Sequence, residues 1–179
     1  MASIIHPPLI APLGSHHDRA AFACGKPALE VYLSRQARQD VERMVAVTFV
    51  LSGAEPEDIA GYYTLAATSV LLNDLPPDIA KRLHRYPAVP ATLLGRLAVA
   101  TRYQGRRLGE LLLMDALRRS LDNSRAIGST AVITDVKDDD AQRFYEKYDF
   151  RPFEGTRRRP FLPMATVSRL FAAAPGLPP

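Results

Sequence analysis

Apolar positions recur along this chain in two periods, and the change from one to the other marks its elements. Residues 27–42 place Leu29, Tyr32, Leu33, Gln36, Ala37 and Val41 at helical spacing, and Pro27 suits a first turn. Residues 44–51 are β-branched, aromatic and apolar and predict a strand. The turn residues Ser52-Gly-Ala-Glu-Pro-Glu-Asp58 follow, then a second strand over 59–71, so the two form a hairpin. Residues 72–90 hold four prolines around a short helical piece near Asp78–His84. A strand is predicted over 91–100 and the clearest helix over 107–122, where Leu108, Leu111, Leu112, Ala116 and Leu117 make one apolar stripe. Thr130–Val136 reads as a strand. Asp138-Asp-Asp140 then provides a cap and first-turn acids for a helix over 141–148. Short strands near Phe150–Phe153 and 163–171 complete the chain. The order predicts an α/β domain on a mixed sheet.

Composition narrows the class. The 179 residues are 47% hydrophobic and 23% charged, enough apolar content for one folded domain of this length. One cysteine excludes an internal disulfide framework. No apolar run approaches the roughly 18 residues that a membrane span needs. Prolines interrupt the apolar N-terminus, which predicts no signal peptide and a cytoplasmic protein. Residues 1–17 and 172–179 are expected to be loosely ordered, on either side of a single domain. The net charge of +4 is unevenly spread: residues 81–125 hold ten basic and three acidic groups, so the rest of the chain is slightly acidic. Nineteen of the 23 basic residues are Arg, the better bidentate phosphate binder.

That charge surrounds the most informative segment, Leu93-Leu-Gly-Arg-Leu-Ala-Val-Ala-Thr-Arg-Tyr-Gln-Gly-Arg-Arg-Leu-Gly-Glu110. It runs from an apolar strand through a basic, Gly-containing turn into a long amphipathic helix. A helix N-terminus offers unsatisfied N–H groups and partial positive charge, and so suits a phosphate or pyrophosphate. Gly105 and Gly109 allow close backbone approach. The segment matches neither the P-loop nor the dinucleotide fingerprint.

Gln104-Gly-Arg-Arg-Leu-Gly109 after Arg96-Leu-Ala-Val99 resembles the acetyl-CoA motif Arg/Gln-x-x-Gly-x-Gly/Ala of the GNAT acetyltransferases. Ala141-Gln-Arg-Phe-Tyr-Glu-Lys-Tyr-Asp-Phe150 is similar to that family's Ala-x-x-Phe-Tyr-x-x-x-Gly-Phe ending. Phe22-Ala-Cys-Gly25 before an Ala-Leu-x-x-Tyr-Leu helix is similar to the family's bacterial toxin branch. Two family glycines are replaced, by Arg107 and by Asp149. Asp149 must be accommodated if its turn needs positive φ, and Asp tolerates that better than most residues.

The resemblance implies a GNAT fold, α/β (α+β), with about six to seven strands flanked by about four helices. It implies acetyl-CoA as co-substrate. The backbone of Leu97, Ala98 and Val99 would pair with the pantetheine arm, and Gln104, Gly105, Arg106, Arg107, Leu108 and Gly109 would cradle the pyrophosphate. Tyr145 takes the general-acid position, with Tyr148 as its rival one helical turn away. The toxin branch implies transfer of acetyl to the α-amine of aminoacyl-tRNA, which blocks translation. It also implies a ribbon-helix-helix antitoxin partner and a homodimer, for which the apolar hairpin at 44–71 offers surface. Arg96, Arg102, Arg157, Arg158 and Arg159 are the candidate tRNA contacts, against a reading of 157–159 as a solvated loop. A GNAT enzyme acting on a small amine or a protein N-terminus, without toxin function, is the alternative. A non-catalytic nucleic-acid or protein-binding module on the same fold is another, and Arg107 is its support.

The remaining chemistry-bearing residues read as structural. Cys24 has no partner arrangement and reads as a small buried hydrophobe. His6, His16, His17 and His84 lack metal-ligand spacing, so no metal is expected. Asp138–Asp140 reads as a helix cap rather than a cation site.

Overall fold

The computed structural model describes residues 9–83, 85–153 and 155–172. In chain order the elements are β1 (Ile10–Pro12), α1 (Pro27–Val31), α2 (Ala37–Glu42), β2 (Val47–Ser52), β3 (Ile59–Leu71), α3 (Pro77–Ala80), β4 (Ala88–Val99), α4 (Leu108–Ser124), β5 (Ala131–Thr134), α5 (Asp139–Glu146), β6 (Arg151–Phe153), β7 (Thr156–Pro163) and α6 (Met164–Ala172). A π-helical turn, Tyr32–Gln36, joins α1 to α2, so 27–42 is continuously helical as predicted. The seven strands form one mixed sheet in the order β1-β2-β3-β4-β5-β7-β6. β4 and β5 are parallel, while β1–β2, β2–β3, β5–β7 and β6–β7 are antiparallel. The chain packs as two compact units.

The first unit comprises the chain up to Ala66 together with Gly95–Ala116. Adjacent strand residues face opposite sides of a sheet, and both Tyr62 and Tyr63 of β3 are fully buried. This unit therefore covers both faces of its strands. Tyr62 packs edge-on against Phe22 and stacks with Tyr32, and its hydroxyl donates to the Leu29 carbonyl at 2.8 Å. Tyr63 stacks with Phe49, and its hydroxyl donates to Asp115 of α4. Gly61 shares the α4 side with Tyr63. A Cβ there would lie 2.8 Å from both the Ala98 carbonyl oxygen and Leu112 Cδ1, so only glycine lets helix and strand approach this closely.

The second unit comprises Ala67–Leu94 and the chain from Leu117 onward. Its core joins Val70, Leu75, Val89, Ala91, Ala131, Ile133, Phe153 and Phe161. All four residues of β5 are buried, as expected of a strand covered on both faces.

Five local expectations change. The final strand at 163–171 is instead helix α6, and the strand before it, β7, occupies 156–163. Thr, Val and Phe favour strands, but Met164 and Val167 are buried at helical spacing, and burial on one helical face decides. Arg157–Arg159 consequently stand in a strand, not in a loop. Ile10–Pro12, within the stretch expected to be loose, pairs with Phe49–Leu51 of β2. The helix at 141–148 closes at Glu146. The hairpin at 44–71 is mostly interior, with Met44, Val45 and Val47 left exposed at its head. His84 lies outside the described residues.

Candidate active site

The first unit carries the phosphate-binding candidate. β4 pairs with β5 over Thr92–Leu94, and β4 itself runs on to Val99. The segment Leu97–Val99 is thus extended backbone, the form an arm must meet to add as a further strand. Thr101–Tyr103 forms one 3-10 turn, Gln104 is extended, and α4 begins at Leu108. Between them Gly105 takes φ +78° and Arg107 φ 59°, two left-handed residues in three. Turns with left-handed residues can gather successive N–H groups into an anion-binding concavity, and this one stands at the start of a 17-residue helix. A Cβ at Gly105 would meet nothing within 4 Å. The left-handed φ favours glycine there, and the space beside its Cα is open.

Arg107, in the place of the family's middle glycine, thus stands in the left-handed region that glycine favours. Its guanidinium holds both oxygens of Glu110, at 2.8 and 3.0 Å, and stays 79% exposed. Gly109 follows in the first turn of α4, and the Leu108 side chain is buried. Arg102 and Arg106 lie over the Tyr103 ring at 5.3 and 5.7 Å. Arg102 also pairs with Asp58. Arg96 sits 3.5 Å over the Tyr32 ring.

The turn is anchored from the β2–β3 connection by residues that the sequence did not single out. The buried Tyr103 hydroxyl donates to Asp58 and accepts from the Ala54 N–H at 2.9 Å. Asp58 also accepts from the Ala54 N–H at 3.3 Å. A Cβ on Gly53 would stand 2.1 Å from Asp58 Oδ2, so glycine is needed for the latch to close. Burial first, and the Asp58 hydrogen bond second, raise the Tyr103 phenol.

The second unit carries the general-acid candidate. Asp138 caps α5 by accepting from the Ala141 N–H at 2.8 Å. Tyr145 on this helix is buried between Phe144 and Phe150, each with ring centroids 5.1 Å away. Burial pushes its phenol up to about 12, and a hydrogen bond with Thr134 pulls the other way. The group therefore stays protonated throughout the neutral range. Tyr148 lies beyond the helix, half-buried, edge-on to Phe144 at 5.3 Å. Asp149, in the place of the second family glycine, takes φ 65°. Arg158 pairs with Asp139 at 3.1 Å and Arg159 with Asp135 at 3.7 Å.

Cys24 is buried, and burial raises its thiol. His17 is buried and its Nδ1 accepts from the Gly14 N–H at 2.9 Å. Burial, then the neighbouring His16, lowers its pKa. Among the described residues no group of His, Cys, Asp and Glu is placed to hold a metal ion. No described helix is long and apolar enough to cross a membrane.

The profile of the acetyltransferase (GNAT) domain matches residues 77–152. The tRNA-acetylating toxin of Mycobacterium tuberculosis is 34% identical over 133 residues, which cover 74% of this chain and 78% of the relative. The probable toxin TacT of Sinorhizobium fredii is 28% identical over 170 residues, covering 90% and 94%. The solved structure of AtaT complexed with acetyl-methionyl-tRNAfMet superposes with a TM-score of 0.85 at 26% identity, covering 92% of this chain and 99% of that one.

Proposed function

The chain belongs to the GNAT acetyltransferase family, and from that premise we propose that it moves an acetyl group from acetyl-CoA to the α-amine of aminoacyl-tRNA, as a translation-blocking toxin. The observation that carries this reading is the 34% identity to a relative named for tRNA acetylation. The left-handed turn at Gly105 and Arg107, directly before the 17-residue helix α4, supports it.

Acetyl-CoA supplies an activated thioester. The N–H groups of Gln104, Gly105, Arg106, Arg107, Leu108 and Gly109 hold its pyrophosphate. The extended backbone of Leu97, Ala98 and Val99 aligns its arm. Tyr145 acts as general acid: its phenol keeps a proton at neutral pH and presents it to the leaving sulfur. Thiols ionise near pH 8.5 and phenols ordinarily near 10; with burial holding Tyr145 up to about 12, its proton supports the leaving sulfur by hydrogen bonding as charge develops there, and general-acid help of this kind is worth roughly 10²–10⁴-fold. Arg96 and Arg102 are held by Tyr32 and Asp58. Their role is to shape the basic surface around the turn, while Arg157, Arg158 and Arg159 on β7 contact tRNA phosphates.

The same reading makes the protein cytoplasmic and gives it a ribbon-helix-helix antitoxin as partner. It is a homodimer, and the exposed Met44, Val45 and Val47 offer apolar surface for that contact. The test is to add the chain and isotopically labelled acetyl-CoA to a translation extract. Label is expected in aminoacyl-tRNA, and Tyr145→Phe is expected to stop it. Label confined to small amines would reject the toxin reading.

A further inference from the structure

The Gln104 side chain reaches the end of β4 and the loop before α1. Its Nε2 lies 3.0 Å from the Val99 carbonyl oxygen and 3.2 Å from the Cys24 carbonyl oxygen. Both acceptors are carbonyls, so the amide nitrogen must face them. A third bond joins the same segments, from the Thr101 N–H to the Ala23 carbonyl at 2.8 Å. From the other side, Glu30 Oε1 accepts from the Cys24 N–H at 2.8 Å and the Gly25 N–H at 2.9 Å. Cys24 therefore has its N–H bound to the helix that follows and its carbonyl bound to the turn. Gly25, at φ +80°, makes the bend that allows this.

We infer that Gln104 is a positioning residue whose side chain ties the loop Phe22–Gly25 to the phosphate-binding turn, so that filling the turn also orders the loop. The backbone of Gln104 serves the turn while its side chain serves the loop. A ligand that fixes the backbone reduces the rotamer freedom which the clamp must otherwise lose. The coupling is reciprocal: an ordered loop favours the loaded turn, and a loaded turn favours the ordered loop. The loop leads through Lys26 into α1, and the Arg96–Tyr32 contact fastens the next turn of that helix to β4. The whole N-terminal helix thus responds to occupancy of the turn. Gln and Arg, the two residues that the motif allows here, are both multiple N–H donors, whereas Glu of the same size as Gln offers none.

The chain holds its own reporter. Cys24 is the single cysteine, 8% exposed, with Sγ 3.7 Å from the Lys26 carbonyl. Alkylating it requires the loop to open. Iodoacetamide labelling of Cys24 in the full chain, followed by mass spectrometry, measures that opening. Without ligand, Gln104→Glu is expected to label about tenfold faster than the wild type, from the loss of two hydrogen bonds. Gln104→Arg is expected to label near the wild-type rate. Saturating acetyl-CoA is expected to slow labelling several-fold in the wild type and much less in Gln104→Ala, at concentrations where calorimetry finds both loaded. Equal labelling of the unliganded wild type, Gln104→Glu and Gln104→Ala would overturn the clamp. Equal protection in the wild type and Gln104→Ala would overturn the coupling. The second arm rests on the acetyl-CoA reading. A wild type that gives no binding heat with acetyl-CoA would sink that reading, and the unliganded comparison would still decide the clamp.

Discussion

The Tyr103 hydroxyl donates to the Asp58 carboxylate across 45 residues of sequence and closes the β2–β3 connection onto the phosphate turn. The same hydroxyl is the nearer acceptor for the Ala54 N–H. Tyr103→Phe leaves both Asp58 and that N–H short of a partner. Its expected cost is about 1–2 kcal/mol of stability, read as a lower urea midpoint. Because Tyr103 ends the 3-10 turn just before Gln104, calorimetry should also show a several-fold weaker affinity for acetyl-CoA. A variant unchanged in both would mean that the latch holds nothing.

Arg107 and Asp149 occupy the places of two family glycines, and both sit in the left-handed region. A side chain there costs roughly 1–2 kcal/mol relative to glycine. Glycine returns part of that through greater freedom of the unfolded chain. Arg107→Gly also loses an exposed ion pair with Glu110 worth at most a few tenths of a kcal/mol. Each substitution to glycine is expected to stabilise the protein by about 0.5–1 kcal/mol, and Gly105→Ala to destabilise it by about 1 kcal/mol. Denaturant unfolding checks all three. Loss of stability in both glycine variants would show that the side chains, not the backbone, dominate at these positions.

Tyr145 links the chemistry to pH. Its phenol ionises near 10 in the unfolded chain and at about 12 when buried. A raised folded pKa contributes stability that is present in full below pH 10 and lost as pH rises toward 12. Between those values the wild type should lose roughly 2–3 kcal/mol more than Tyr145→Phe, which has no proton to release there. At pH 7 the same variant should lose acetyl transfer by roughly 10²-fold or more. Its binding heat with acetyl-CoA should be nearly unchanged. Parallel unfolding curves for the two proteins from pH 9 to 12 would contradict the burial of this group.

Much of this was legible in the sequence where one residue type answers one local need. Asp138 before helical periodicity predicts a cap, and its carboxylate accepts from the Ala141 N–H. A strand, a basic glycine turn and an amphipathic stripe are legible in order, and β4, the turn at Gly105 and Arg107 and helix α4 follow one another in that order. What could not be read depends on partners distant in sequence. Asp58 looks like ordinary turn chemistry until Tyr103 is folded onto it. The Cys24 carbonyl finds Gln104 80 residues away. α6 was hidden for a different reason: its strand-forming residues are outweighed by burial of Met164 and Val167 on one face.

The β7 arginines are partly neutralised where they stand. Asp139 holds Arg158 and Asp135 holds Arg159, all four side chains being substantially exposed. Exposed pairs of this kind are worth no more than about 1 kcal/mol, so a phosphate can displace the carboxylates. Asp135→Asn and Asp139→Asn should therefore tighten tRNA binding with little effect on stability. Reversing the charge of Arg157–Arg159 should weaken tRNA acetylation while acetyl-CoA binding stays nearly constant. For every phosphate that the protein no longer neutralises, the slope of log affinity against log salt should fall by about 0.7–0.9. Filter binding of aminoacyl-tRNA across a salt series reads both directions. If neither pair of variants moves the slope, β7 is not where the tRNA backbone is held, and the basic block at 81–125 must hold it instead.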